Sequence, residues 1–357
     1  MATSQLQAEE HTFVLKSTAN KVNLLLDNQT FEMHRNAQGQ FFYKANLSAG
    51  MHLYNFEVEN CRLLDPQNIN VVRDCSRTYN YIIVGSSEIC NNEQVAHGDV
   101  QYVWYKAQGG KERRLAVYLP PSYKTGRDYY PTLYLLHGTW GDETSWLTLG
   151  RAAQILDNLI AAGKAKEMIV VMPNCNMWQN QTPDIENGEE DFADINEASK
   201  KLTDGKFEED FGAIINFIER QYRVTTQKSA RAIAGLSRGG YFTMHISHYF
   251  NKMFDYIGLF SATYSTERSR QNLFPESDTN TPRVYKNTVK DLKKQFQQVP
   301  KLYYIAIGNK DFLYEENKRY RDFLDQNGYP YQYNESEGGH EWKNWRDYLI
   351  DFLPKLF

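Results

Sequence analysis

Hydrophobic positions follow two regimes along this chain, and the change comes near residue 90. Before it, short runs rich in β-branched and aromatic residues (HTFVLKS, KVNLLLD, TFEMHRN, GQFFYKAN, HLYNFEVE, CRLLDP, NYIIVG) are separated by Asn, Gly, Asp and Pro. That spacing, without a helical period, predicts a small immunoglobulin-like β-sandwich whose faces pack through alternating inward side chains. Beyond it, residues 97–105 and 113–119 predict two strands joined by the turn GGKE. Fully apolar runs then follow: TLYLLHG, EMIVVMP, RAIAGL, FDYIGLF and KLYYIAIG, with YQYNES as a last strand. Helical patterns occupy 150–162, 207–222, 239–251, 284–298, 315–327 and 342–352. Strands apolar on both faces, alternating with helices, predict an α/β fold with a mostly parallel sheet covered on both sides.

Length supports the same division, since 357 residues exceed the usual single domain. The expected organisation is a β-sandwich over 1–90 and an α/β catalytic domain over 91–357, with one large α/β unit as the alternative. With 41% hydrophobic and 24% charged residues, the chain has the composition of an ordinary globular protein. A net charge of −4 gives no electrostatic case for nucleic acid or an anionic membrane as partner. The apolar runs are strand-length, too short to span a bilayer, and MATSQLQAEE lacks the basic region and apolar core of a signal peptide. The 25 Tyr, 19 Phe and 6 Trp suit surfaces that meet sugars or aromatic acids, or else a Tyr-rich core. The four cysteines match no metal motif. Isolated thiols are the expectation over a bridge among Cys61, Cys75 and Cys90, and no metal or cofactor is expected. The segment 174–206 is long, polar and acidic, either a substrate-facing wall or a solvated insertion.

The local motif with most chemical content is Gly235-Leu236-Ser237-Arg238-Gly239, set between the buried run RAIAGL and the helical YFTMHISHYF. A G-x-S-x-G turn from strand to helix is a nucleophile elbow of the α/β-hydrolase fold, which lifts the serine hydroxyl above the sheet at a helix N-terminus. Serine needs a base, and the order in this fold is serine, acid, histidine. Among eight histidines, His340 sits between the last strand and last helix, after two glycines. His245 and His248, on the helix after the elbow, read as packing or surface residues. Asp311 follows KLYYIAIGNK, at a carboxyl end of the sheet, and is the expected orienting acid, with Glu315, Glu316 and Glu337 as competitors. The oxyanion donors expected are the N–H groups of Arg238 and of Thr139, in the loop His137-Gly138-Thr139-Trp140 after the first parallel strand. His137 supports that loop or touches substrate. Trp140, Trp146 and Trp342 are candidates to line the substrate pocket or belong to the core.

In order along the chain stand VYLPPSY, YPTLYLLHGTWGDETSW, ILDNLIAAGKAKEMIVVMPN, RAIAGLSRGG, FDYIGLFSA, IAIGNKDFLYEEN and GGHEWKNWRDYLIDFLPKLF. On these pieces the region 97–357 resembles the putative-esterase family, which includes feruloyl esterases and the esterase-D-like and enterochelin-esterase-like enzymes. The resemblance implies nucleophile, acid and base roles for Ser237, Asp311 and His340. Residues 11–88, with RLLDPQN as a turn, resemble the early-set β-sandwich that precedes such esterases and other glycan-active enzymes. Arg238 departs from the family, where Met is usual after the nucleophile. Feruloyl esterase action on arabinoxylan is the leading expectation from the family. Acetyl-xylan esterase, siderophore-ester hydrolase and a noncatalytic glycan-binding protein are the alternatives. The implied partner is an esterified plant polysaccharide or oligosaccharide, and the implied location is periplasmic or secreted.

Overall fold

The computed structural model describes residues 8–182, 205–264, 273–274 and 279–357. Most of the acidic segment expected as a wall or insertion, 183–204, lies outside the described residues. Two compact units divide after Asn91.

In the first unit, strands β1 (Glu9–Lys16), β2 (Val22–Leu26), β3 (Gln29–Glu32), β4 (His34–Arg35), β5 (Gln40–Leu47), β6 (Gly50–Val58), β7 (Cys61–Leu63), β8 (Val71–Asp74) and β9 (Arg77–Val84) build two antiparallel sheets. One has the order β1-β5-β4 and the other β3-β2-β6-β9-β8, with β7 also on β6. Alternation puts Phe13, Leu15, Val22, Leu24, Phe41, Tyr54 and Phe56 in one core. The run TFEMHRN is two strands rather than one. The chain changes sheets at buried Met33, whose N–H donates to Val22 O at 3.0 Å. Strand β8 carries too few apolar residues to signal itself.

The second unit holds one mixed sheet of β10 (Asp99–Lys106), β11 (Glu112–Leu119), β12 (Thr132–Leu136), β13 (Ile169–Pro173), β14 (Arg231–Leu236), β15 (Tyr256–Phe260), β16 (Leu302–Gly308) and β17 (Gln332–Ser336). Its order is β10-β11-β13-β12-β14-β15-β16-β17. The pairs β10–β11 and β11–β13 are antiparallel, and the others are parallel. Every residue of β12 to β16 is buried, which is why those runs are apolar throughout. The helices are α1 (Ser145–Thr148), α2 (Ala152–Ala161), α3 (Lys206–Gln221), α4 (Arg238–Tyr249), α5 (Thr288–Gln297), α6 (Tyr314–Gln326) and α7 (Trp342–Phe352). Phe211 and Ile214 of α3, Phe242 of α4, Leu292 of α5 and Tyr320 of α6 share a core with Tyr134 and Ile233 of the sheet. From α7, Phe352 meets Phe260 and Tyr304 edge-on or tilted at 5.5 Å. Strand order reverses around β12, so the loops at the carboxyl ends of β12 and β14 lie at the edge where ligands bind in such sheets.

Candidate active site

The turn from β14 into α4 leaves Ser237 at φ 51° and ψ −117°, a conformation an L-residue adopts only under restraint. The restraint is visible on both sides of the peptide. Ser237 N–H donates to Phe260 O at 2.8 Å, and Ser237 O accepts from Gly240 N–H at 3.0 Å and Tyr241 N–H at 3.2 Å. Close packing excludes side chains beside it. A Cβ on Gly235 would stand 2.3 Å from Gly239 O, and one on Gly239 would stand 2.4 Å from His137 O. Gly138 passes next to Ser237 as well, since its Cβ would lie 3.3 Å from Ser237 Cβ. Among the described residues, no acceptor takes the N–H of Arg238 or of Thr139. These two groups have the chemistry of oxyanion donors.

Two sheet positions away, β16 and β17 continue to pair beyond their ends. Asn309 N–H donates to Ser336 O at 2.8 Å, and Lys310 N–H to Gly338 O at 2.9 Å. This zipper brings Asp311 and His340 together. His340 Nδ1–H donates to Asp311 Oδ2 at 2.9 Å, with Oδ1 at 3.0 Å. The Asp311 side chain is fully buried, whereas that of His340 is 17% exposed. Asp311 Oδ1 also accepts Leu313 N–H at 2.9 Å, so the acid is fixed from a second side. The imidazole is flanked by Phe312, with ring centroids 4.5 Å apart, and by Trp345, edge-on at 5.0 Å. With Nδ1 committed, Nε2 is the nitrogen left to accept a proton. Among the described residues no hydrogen bond joins it to Ser237 Oγ; such contacts are often long without substrate and tighten when it binds.

The family model described as "Putative esterase" matches residues 107–356, more than half of the chain. The chain belongs to the Putative esterase family. It is a carboxylic ester hydrolase. The esterase is 34% identical over 230 residues to an endo-1,4-beta-xylanase/feruloyl esterase of Xylanibacter ruminicola, covering 62% of this chain and 30% of that protein. The match therefore spans less than a third of that relative's length. It is 27% identical over 243 residues to an acetyl esterase of Caldicellulosiruptor saccharolyticus, covering 62% of this chain and 80% of that protein. The structure of an enterobactin esterase from Shigella flexneri covers 98% of this chain and 96% of its own, with a TM-score of 0.65 and 13% identity, a likeness of fold.

Two residues expected to touch substrate are engaged inside the esterase instead. His137 is buried; its Nδ1–H donates to Gly138 O at 2.8 Å and its Nε2 accepts Cys175 N–H at 2.8 Å. Burial holds this imidazole below the usual histidine range, and its two hydrogen bonds tie the loop after β12 to the loop after β13. Trp146 is 1% exposed and donates Nε1–H to Leu136 O at 3.0 Å, which makes it a core residue under β12. Trp342 is half-buried, edge-on to Trp146 at 5.5 Å and to Trp345 at 5.1 Å. Thr139 and Trp140 are half-buried in the loop after β12.

Of the competing acids, Glu316 accepts Thr263 Oγ1–H at 2.9 Å and the N–H of Tyr264, and so holds the loop after β15. No disulfide joins any of the four cysteines.

Sequence reading missed the braces beneath the site. Buried Glu143 accepts from Arg114 Nε at 2.7 Å, Asn174 Nδ2 at 2.9 Å and Thr182 N–H at 2.8 Å. Buried Arg113 donates to Asn174 O at 2.6 Å and Asn176 O at 2.9 Å. Strand alternation was the available signal, since Arg113 shares its face of β11 with core residues Leu115, Val117 and Leu119. Phe312, 76% exposed beside His340, had no signal beyond its place after Asp311.

Proposed function

We propose that this esterase is a serine hydrolase of plant cell-wall polysaccharide esters, with feruloyl groups on arabinoxylan as the preferred acyl substrate. The observation that supports the mechanism is an imidazole oriented by Asp311 with Nε2 left to accept a proton, on the sheet edge that also carries the restrained Ser237 turn. His340 Nε2 takes the proton of Ser237 as Oγ bonds to the ester carbonyl carbon. The N–H groups of Arg238 and Thr139 hold the resulting oxyanion. Protonated His340 gives its proton to the departing sugar alkoxide as the carbon–oxygen bond breaks, leaving an acyl-serine. Water then attacks, passes its proton through His340, and frees the acid and Ser237.

Support for the substrate comes from the name of the Xylanibacter relative, which joins xylanase and feruloyl esterase. Exposed Phe312 offers an aromatic face for a hydroxycinnamate ring beside the base. The acetyl esterase relative favours acetyl-xylan as the second reading. A polymeric substrate of this kind implies a periplasmic or secreted enzyme, with the first unit as a module that precedes the catalytic one in the chain. Rates on feruloylated arabino-oligosaccharides and acetylated xylo-oligosaccharides, for wild type and Ser237→Ala, test both levels. Feruloyl release faster than acetyl release, abolished in Ser237→Ala, is expected. Faster acetyl release defeats the feruloyl assignment, and a variant as active as wild type defeats the mechanism.

A further inference from the structure

The edge strand β10 presents a surface that the chemistry above does not use. Its odd-numbered residues face inward: Tyr105 is buried near Phe217 of α3, and Gln101 accepts from Tyr222 Oη at 3.3 Å. On the opposite face Tyr102 and Trp104 are each 47% exposed. They are the exposed large hydrophobic side chains of the β10–β11 hairpin, and among the described residues neither ring meets another aromatic ring. Two positions apart on one strand, they stand about 7 Å apart. Register explains why this end is open. Val100 pairs with Tyr118, whose hydroxyl donates to Asp157 of α2 at 2.6 Å, while Tyr102 pairs with Ala116 and Trp104 with Arg114. The direct register partner of Tyr102 contributes only a methyl.

Arg114 sets the platform in place. Its guanidinium carbon lies 5.0 Å over the Tyr102 ring, while its Nε donates to Glu143. Glu143 lies in the loop that carries Thr139, so the Tyr102 ring is tied to that loop through a single guanidinium. The two rings also stand at the catalytic edge, since Leu115, next to Arg114, pairs with Pro173, the last residue of β13. From β10 to the nucleophile strand β14 are four strand intervals, roughly 19 Å at ordinary spacing.

We propose that Tyr102 and Trp104 form a stacking platform for the sugar backbone of the polysaccharide, a few residues along the chain from the ester presented to Ser237. The occupant follows from the chemistry of the patch. Sugar rings offer faces of weakly positive C–H bonds, which pack on the negative π faces of Tyr and Trp. Neighbouring Arg114, its side chain 22% exposed, supplies hydrogen-bond donors for sugar hydroxyls at the rim. The proposal rests on a polysaccharide ester as substrate, and its test separates the two.

Wild type, Tyr102→Ala/Trp104→Ala and the ring-conserving Tyr102→Phe are compared on methyl ferulate and on feruloylated arabinoxylo-oligosaccharides, and for retardation in gels containing xylan. Expected for the double variant is a KM raised roughly tenfold on the oligosaccharide, with kcat and the methyl ferulate kinetics unchanged and retardation lost; Tyr102→Phe behaves as wild type. Equal kinetics and equal retardation for double variant and wild type overturn the platform. So does a sedimentation shift from dimer to monomer in the double variant, which makes the face an interface between copies. If wild type hydrolyses neither ester, the substrate reading fails, and the retardation comparison alone decides the platform.

Discussion

Asp311 serves two partners with one carboxylate, accepting the Leu313 N–H and the His340 Nδ1–H. Asp311→Asn keeps the shape but turns an NH2 or a weaker carbonyl toward the ring, and the imidazole then favours the tautomer with its proton on Nε2, unable to act as base. Stopped assays on a feruloyl ester should show kcat reduced by about 10³- to 10⁴-fold with KM little changed. A loss confined to KM would assign Asp311 to binding. The pairing of Asp311 with His340 was legible from the sequence because each sits at a punctuated strand end. Glu143 and Phe312 were not, because their meaning lies in contacts with segments remote in the chain.

Helix α4 carries, behind the nucleophile, a pair of imidazoles that the sequence marked only as packing or surface. His248 Nε2 and His245 Nδ1 lie 3.0 Å apart, and both residues are buried. Burial is the main cause that pushes His248 down to about 4 and His245 well below its usual range; Asp291 opposes the first shift, while His248 and Arg238 add to the second. Tyr241 and Tyr285 cover the His245 ring at 4.4 and 4.6 Å. Above pH 6.5 both states are neutral at His248 and the fold bears no penalty. As pH falls from there toward 4 the unfolded chain binds the proton first, so stability is lost across that window, by roughly 3 kcal/mol for His248. Denaturant titrations at pH 7 and pH 4.5 should find a smaller loss in His248→Gln than in wild type; identical losses would place the charged form comfortably inside the fold. At this scale the buried parallel strands were plain from their unbroken apolar runs. The short α1 and the sheet change at Met33 were not, since neither has a period long enough to read.

Each of the two units has its own apolar core, one around Phe13, Leu24 and Phe56 and the other around Tyr134, Ile233 and Phe211. A chain of residues 92–357 is therefore expected to fold alone, with a cooperative thermal transition and a kcat/KM on methyl ferulate within about threefold of the full chain. A non-cooperative melt would show that the second unit draws stability from the first. The change of hydrophobic pattern near residue 90 made the division readable, because sandwich and parallel sheet bury their strands differently.

The continued pairing of β16 with β17 past Gly308 and Ser336 has one more consequence. Asp311 and His340, the proposed acid and base, ride on a single stiff ribbon, and the backbone of Ser237 is pinned to the next strand through Phe260. Within these pinned turns, the swing of the Ser237 hydroxyl about one bond is a freedom that remains before an ester arrives. Very little disorder is then surrendered at the moment of reaction, and the cost of assembly has already been met during folding.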